Sequence, residues 1–172
     1  MNLLRFTLLL VLIASSLTSF AQRKPNFQTQ IDPSRIEIVR DSFGTPHIFA
    51  PTDAEVAYGL AWATAEDDVD NSQFLFLAMR GLLGAHLGME GAKIDYAVQV
   101  LGVVERAYEK YDEEIPEDYK RVLEGYAAGV NAYMKAHPDK VYIKKAFPLN
   151  PQDLVAGHML AMALMGGVKG TL

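Results

Sequence analysis

Few residues of this 172-residue chain have the type and spacing that chemistry needs. Cysteine is absent, which excludes a thiol nucleophile, disulfides and cysteine metal sites. The histidines, His47, His86, His137 and His158, stand far apart. No pair has the His-x-x-x-His spacing that puts two imidazoles on one helix face for zinc. Glu66-Asp67-Asp68 with Asp70 gathers carboxylates, the ligand type calcium prefers. The Asp-x-Asp-x-Asp-Gly spacing of a calcium loop is missing, however, and the run falls on a predicted helix, where it reads as a solvated or salt-bridged face. No metal ligand is assigned. His47 reads as a structural hydrogen-bonding residue. Met159, Met162 and Met165 form a flexible apolar stripe, for which core packing is the ordinary use.

The elements that must position these residues begin with Ile36 to Ala50. Ile36, Ile38 and Arg40 alternate with Glu37, Val39 and Asp41, the period-two pattern of a strand. Ser42-Phe43-Gly44 supplies a turn, in which Gly44 can take positive φ. Pro46 to Ala50 reads as the return strand, with Pro46 near its start. Thr52-Asp-Ala-Glu55 is a capping box: Thr52 is expected to accept from the Glu55 N–H, and the Glu55 carboxylate to reach back to the Thr52 N–H. A helix follows with Val56, Leu60 and Ala63 on its apolar stripe, and continues past Asp70 or restarts there. Phe74, Leu75, Leu77, Ala78 and Leu82 form a second apolar face. Gly81, Gly84, Gly88 and Gly91 then break it.

Ile94 to Tyr111 predicts one helix with Val98, Leu101, Val104 and Tyr108 on one face. Pro116 suits the first turn of another, whose stripe is Tyr119, Val122, Leu123, Tyr126, Val130, Tyr133 and Met134. His137-Pro138 ends it. Val141-Tyr142-Ile143 is a short strand or an extended loop. A last helix enters through Pro151-Gln-Asp153 and ends at Gly166-Gly167. The fold class is thus α+β and mostly helical, one β-hairpin followed by several helices. The stripes around 56–82, 98–108, 119–134 and 154–165 exceed what one hairpin covers, and left exposed they are expected to promote association.

Half of the residues are apolar, which argues against disorder, and 172 residues suffice for one domain with a core. The net charge of −5 and the lack of a basic run speak against nucleic acid as a partner. Residues 1–21 read as a signal peptide: Arg5 in a short cationic start, an apolar core from Phe6 to Ile13, and Ser19-Phe20-Ala21 as a small-x-small cleavage site. The apolar run falls short of the roughly 20 residues that span a bilayer. The competing reading is an uncleaved anchor. The expected location is secreted, periplasmic, with no membrane association after cleavage. Residues 22–33 read as a linker and 34–172 as the folded segment.

Arg40-Asp41, Gly44-Thr-Pro46-His47-Ile48, Ala50 and Asp53 are followed by Tyr58-Gly59-Leu60-Ala61-Trp62-Ala63 and Ala65-Glu66-Asp67-Asp68. This ordered string resembles the start of a penicillin amidase, a family of N-terminal-nucleophile amide hydrolases, and is most like the acyl-homoserine-lactone acylases. Arg80-Gly-Leu-Leu-Gly84, Tyr126-Ala-Ala-Gly-Val-Asn131-Ala-Tyr133 and Pro151-Gln-Asp153 extend the resemblance over about residues 34–168. In it Gly129 is a close helix-packing contact, and Asn131 either satisfies a buried backbone group or is exposed.

The resemblance implies the N-terminal part of the α-subunit of an αββα hydrolase, an incomplete domain. Such precursors cut themselves before a Ser, Thr or Cys, usually after glycine, and the freed α-amine serves as base. Ser34, Ser42 and Ser72 follow Pro33, Asp41 and Asn71. Cutting at Gly44-Thr45 would split the hairpin, and cutting at Gly170-Thr171 would leave a dipeptide. No catalytic residue is therefore assigned in this chain. The nucleophile is expected in a downstream β-subunit from the same precursor, the implied partner, with calcium as a possible cofactor of the complete enzyme. The substrate class is N-acyl compounds: acyl-homoserine lactones, penicillin-type side chains or acyl-peptides. Met162 and Met165 fall near the region that lines the acyl pocket in the family, and Arg40, Asp41, Gly44, Pro46 and His47 form its structural motif. The alternative is a small secreted helical protein that binds an acyl or lipid ligand without catalysis.

Overall fold

The computed structural model describes residues 27–166. The signal peptide over 1–21, the first part of the 22–33 linker and Gly170-Thr171 lie outside the described residues. The first element among the described residues is a 3₁₀ turn, Pro33–Arg35, before which Asp32 Oδ1 accepts from the Ser34 amide at 3.0 Å. Strands β1 (Glu37–Arg40) and β2 (Pro46–Phe49) then pair antiparallel, Ile38 opposite Ile48 and Val39 opposite His47. The turn forms as its residues dictate. Asp41 Oδ1 accepts from the amides of Phe43 (2.8 Å) and Thr45 (2.9 Å), and Gly44 takes φ +84°, which a side chain would oppose.

Helix α1 (Asp53–Met79) begins where Thr52 caps it. The box closes differently from the expected one. The Glu55 amide donates to Thr52 Oγ1 at 3.3 Å, but the Glu55 carboxylate takes the Thr52 hydroxyl at 2.9 Å in place of the backbone N–H. Glu55 is buried and also lies 3.8 Å from Arg35, so its carboxylate serves an incoming cation as well as the cap. The helix is interrupted at Asp68, two residues before Asp70, where φ −149° and ψ 57° leave the helical region. Asp68 then acts as a fresh cap: its Oδ1 accepts from the Asn71 amide at 3.4 Å and from the Asn71 side chain at 2.9 Å, and its carbonyl accepts from Ser72 Oγ at 2.6 Å.

The glycine stretch and the helix predicted over 94–111 both need correction. Helix α2 (Gly84–Leu101) starts early, because Asp95 accepts from the amides of Leu83 (2.8 Å) and Gly84 (2.7 Å). Gly88 kinks it at φ +59°, whereas Gly91 lies inside it, against the Leu83 carbonyl. Gly102 ends it in the left-handed region, splitting the predicted helix in two. Helix α3 (Val103–Glu114) and helix α4 (Glu117–Ala136) follow, the latter just after Pro116. Two 3₁₀ turns (Pro138–Lys140 and Lys144–Ala146) lead to helix α5 (Pro151–Met165).

Helices α1 and α4 meet through their smallest residues. A Cβ at Gly125 would lie 2.1 Å from the Ala54 carbonyl oxygen, and one at Gly129 2.3 Å from that of Tyr58. This is the close approach expected of Gly129, and it lets Ala61, Leu77, Ala127, Val130 and Tyr133 form the main core. Ala97, Val98, Val103, Ala107, Ala156 and Leu160 form a second core between α2, α3 and α5. The helical stripes thus bury one another in part, while Leu60, Leu75, Tyr119, Met162 and Met165 stay exposed on them. The hairpin covers only part of α1: Ile36, Ile38 and Ile48 sit over Gly59, where a Cβ would be 2.7 Å from Ile48. Its outer face is left with Val39 and Phe49, and its tip with Phe43, all exposed.

Candidate functional site

The most elaborate side-chain chemistry lies where α5 begins. Pro151 opens the helix with the φ its ring fixes, and Asp153 sits in the first turn, where a negative charge faces the free amides. Asp153 is 2 % exposed. Its Oδ2 accepts from the Asn150 amide (2.8 Å) and from Arg80 through Nε (3.1 Å) and Nη2 (2.6 Å). Its Oδ1 accepts from the Tyr108 hydroxyl at 2.9 Å, and Asn150 Nδ2 donates to that hydroxyl at 3.1 Å. Arg80, at the end of α1, also donates to the carbonyls of Lys145 (2.7 Å) and Pro148. Burial, and then the Asp153 charge, raise the Tyr108 hydroxyl pKa well above its ordinary value, so it stays a donor. A buried carboxylate tolerates its site only when its lone pairs are taken, and here four donors take them.

Two neighbouring side chains fix the approach to this cluster. Asn131 donates to the Leu149 carbonyl (2.9 Å) and accepts from the Leu149 amide (2.8 Å), so it satisfies buried backbone. Gln73, fully buried, accepts from the amides of Tyr142 (3.2 Å) and Ile143 (3.1 Å) and donates to the Lys140 carbonyl (3.0 Å). Val141-Tyr142-Ile143 is therefore an extended loop paired with a side chain in place of a neighbouring strand.

The other end of α5 is open. Met162 is 55 % exposed and Met165 82 %, so the core-packing reading of the stripe fails for both, and only Met159 packs against the second core. The hairpin motif is gathered elsewhere on α1. Arg40 donates to Asp67 (2.7 Å), Glu66 (2.9 Å) and the Gly44 carbonyl (2.7 Å). The salt-bridged reading of Glu66 and Asp67 holds. Hydrogen bonds from the Thr45 and Phe43 amides, with His47 at 3.4 Å, lower the Asp41 pKa. Pro46 pairs with Arg40 at the loop end of the hairpin. These groups tie the turn to α1; none is buried beside a cavity.

A groove of about 340 Å³ opens between α3, the start of α4 and α5, lined by Tyr111, Ile115, Tyr119, Leu123, His158 and Met159. The Tyr111 hydroxyl is buried without a hydrogen-bond partner. Among the described residues no three His, Asp or Glu side chains are grouped to hold a metal ion, so the calcium implied for the complete enzyme finds no ligand set in them. None of their helices is long and apolar enough to cross a membrane. Sequence reasoning missed the role of Arg80 and Tyr108. Asp153 carried a signal, an acid in the third position after Asn150 in a helix that opens with proline, but its two distant partners lie 73 and 45 residues away.

Comparison with known proteins accords with this arrangement. A family model described as Penicillin amidase matches residues 35–169. Penicillin G acylase of Escherichia coli is 30% identical over 101 residues, 59% of this chain and 12% of that protein. The penicillin acylase 2 proenzyme of Pseudomonas sp. (strain SE83) is 30% identical over 99 residues, 58% of this chain and 13% of the relative. An acyl-homoserine lactone acylase of Pseudomonas putida, QuiP, is 27% identical over 106 residues, 62% of this chain and 13% of the relative. The matched part of the chain thus spans about an eighth of these relatives. The solved thermostable penicillin G acylase from Alcaligenes faecalis superposes with a TM-score of 0.61 at 27% identity, covering 76% of this chain and 73% of the solved one.

Proposed function

The chain belongs to the penicillin amidase family, and from that premise we propose that it forms the N-terminal, α-subunit part of an acylase that hydrolyses the amide bond of N-acyl compounds. The observation that carries this reading is the family match over 35–169 in a chain whose matched part takes up only 12% to 13% of its curated relatives. The solved chain, by contrast, is of similar size to this one, since the alignment covers nearly equal shares of both. Both facts suit a subunit cut from a longer precursor, and one relative is named a proenzyme. On this reading the nucleophile stands at the start of a second chain, which the exposed Val39, Phe49, Met162 and Met165 help to receive. Met162 and Met165 supply part of the wall against which the acyl group rests. Acyl-homoserine lactones, penicillin-type side chains and acyl-peptides are the candidate substrates, and cleavage after Ala21 delivers the protein to the periplasm. Any calcium is held mainly by the second chain.

The test is to express residues 22–172 and the complete precursor side by side and to assay acyl-homoserine lactones, phenylacetyl amides and acyl-peptides. The short chain hydrolyses none, for want of the nucleophile. The precursor matures into two chains and hydrolyses at least one class. Turnover by residues 22–172, freed of host acylases, overturns the division of labour. No turnover by the complete protein overturns the acylase reading. In that event the groove beside Tyr111 supports the non-catalytic reading, if residues 22–172 bind a fatty acid saturably.

A further inference from the structure

Resting on the acylase reading, we infer that Arg80, Asp153 and Tyr108 are positioning residues for acyl selection: they fix the direction in which α5 carries Met162 and Met165. One guanidinium joins three pieces of chain, the end of α1, the 144–149 loop and the first turn of α5. The Asp153 carboxylate adds α3 through Tyr108 and its own helix start through Asn150. Asn131 grips the residue just before, Leu149, from α4. The base of α5 is thus held from α1, α3 and α4, while beyond Leu160 no residue of the helix is buried.

Ala156, Leu160 and Leu164 rest the helix on the second core, and the bonded base sets the direction in which it runs across that core. At about 1.5 Å per residue the stretch from Asp153 to Met165 is about 18 Å long, so a tilt of about 5° at the base moves the tip by about 1.5 Å. A displacement of about 1 Å in a substrate-contacting group is enough to change turnover strongly. Burial alone does not call for charges here, since a buried ion pair is often matched in stability by apolar side chains of similar volume. What the ionic cluster adds is direction, because each of its hydrogen bonds is satisfied in one geometry.

The experiment uses the complete precursor and lets butanoyl- and decanoyl-homoserine lactone compete in one reaction. The ratio of their kcat/KM values is then independent of how much enzyme has folded. Arg80→Lys keeps the charge but loses the fork that reaches three acceptors; Asp153→Asn keeps the shape but loses the charge. Each is expected to shift the ratio by about five-fold or more, with KM moving more than kcat. Thr52→Ala, which weakens the cap at the opposite end of α1, is the control. It lowers the yield and leaves the ratio as in the unmutated enzyme. Tyr108→Phe removes one hydroxyl and covers the case in which the stronger variants fail to mature; its shift has the same sign and is smaller. Ratios that stay at the wild-type value in all three cluster variants overturn the inference. If the unmutated precursor hydrolyses no acyl-homoserine lactone, the acylase reading fails for this substrate, and positioning is read from hydrogen exchange in Arg80→Lys. Faster exchange confined to 154–165 supports positioning, and a uniform rise across the chain overturns it.

Discussion

Two arginines in this protein grip acidic partners, and they do so in opposite surroundings. Arg40 ties the hairpin to α1 through Glu66 and Asp67, with side chains 30%, 51% and 53% exposed. Arg80 ties α1 to α5 through Asp153, with side chains 14% and 2% exposed. The hydrogen-bond chemistry is the same. The difference is what happens when one partner is lost. Water takes over the freed charge at Asp67, whereas at Asp153 nothing replaces it. The exposed grip orients a turn; the buried one is part of how the helices are held together.

The sharpest way to break this comparison is to remove the buried carboxylate. Asp153→Ala takes away the buried carboxylate on which Arg80, Tyr108 and the Asn150 amide converge and is expected to destabilise the protein by about 3–5 kcal/mol, read from denaturant midpoints of residues 22–172. A loss below about 1 kcal/mol would put the two grips in one class. Gly129→Ala comes next. The new methyl would meet the Tyr58 carbonyl, and separating α1 from α4 should cost about 2 kcal/mol or more. Thr52→Ala should cost about 1 kcal/mol, the usual worth of a cap, and it also strips a hydrogen bond from buried Glu55.

Arg40→Ala is expected to move the midpoint less than Thr52→Ala does, and raising the salt concentration should erase what remains. A shift as large as that of Asp153→Ala would mean that the hairpin tie is structural after all. The smallest effect is acid-dependent. The folded pKa of Asp41 is lowered from 3.8, so its contribution is present above about that pH and is lost as the pH falls through the folded value. The Phe43 and Thr45 amide resonances should shift together below pH 3.8, and resonances that stay fixed down to pH 2 would show that the Asp41 carboxylate does not hold the turn.

The same contrast explains what the sequence disclosed. The hairpin, its Gly44 turn and the Thr52 cap rest on contacts a few residues apart, and alternation and capping patterns reveal those. Val98, Leu101 and Val104 keep their apolar rhythm straight across Gly102, so periodicity predicts one helix over 94–111, and only the backbone shows that Gly102 turns left-handed. The methionine stripe has core composition, yet past Leu160 it is Leu164 that turns to the second core, and Met162 and Met165 stay exposed. Arg80, Tyr108 and Asp153 come from three helices, and no local rule joins an arginine at a helix end to an acid 73 residues later. The partners that decide the candidate site are brought together by packing, which periodicity does not encode.

The irregular stretch from His137 to Asn150 has a consequence for proteases. It is the longest run between helices and looks like a natural place to nick the chain. Yet Gln73, Arg80 and Asn131 hold its amides and carbonyls, so a protease would have to dislodge three side chains before it could draw the segment into an extended conformation. The turn at Gly88 offers no such resistance: Leu87 and Met89 on either side of it are exposed. Limited digestion should therefore open the protein at Gly88 first, inside what passes for a helix, and spare the longest loop.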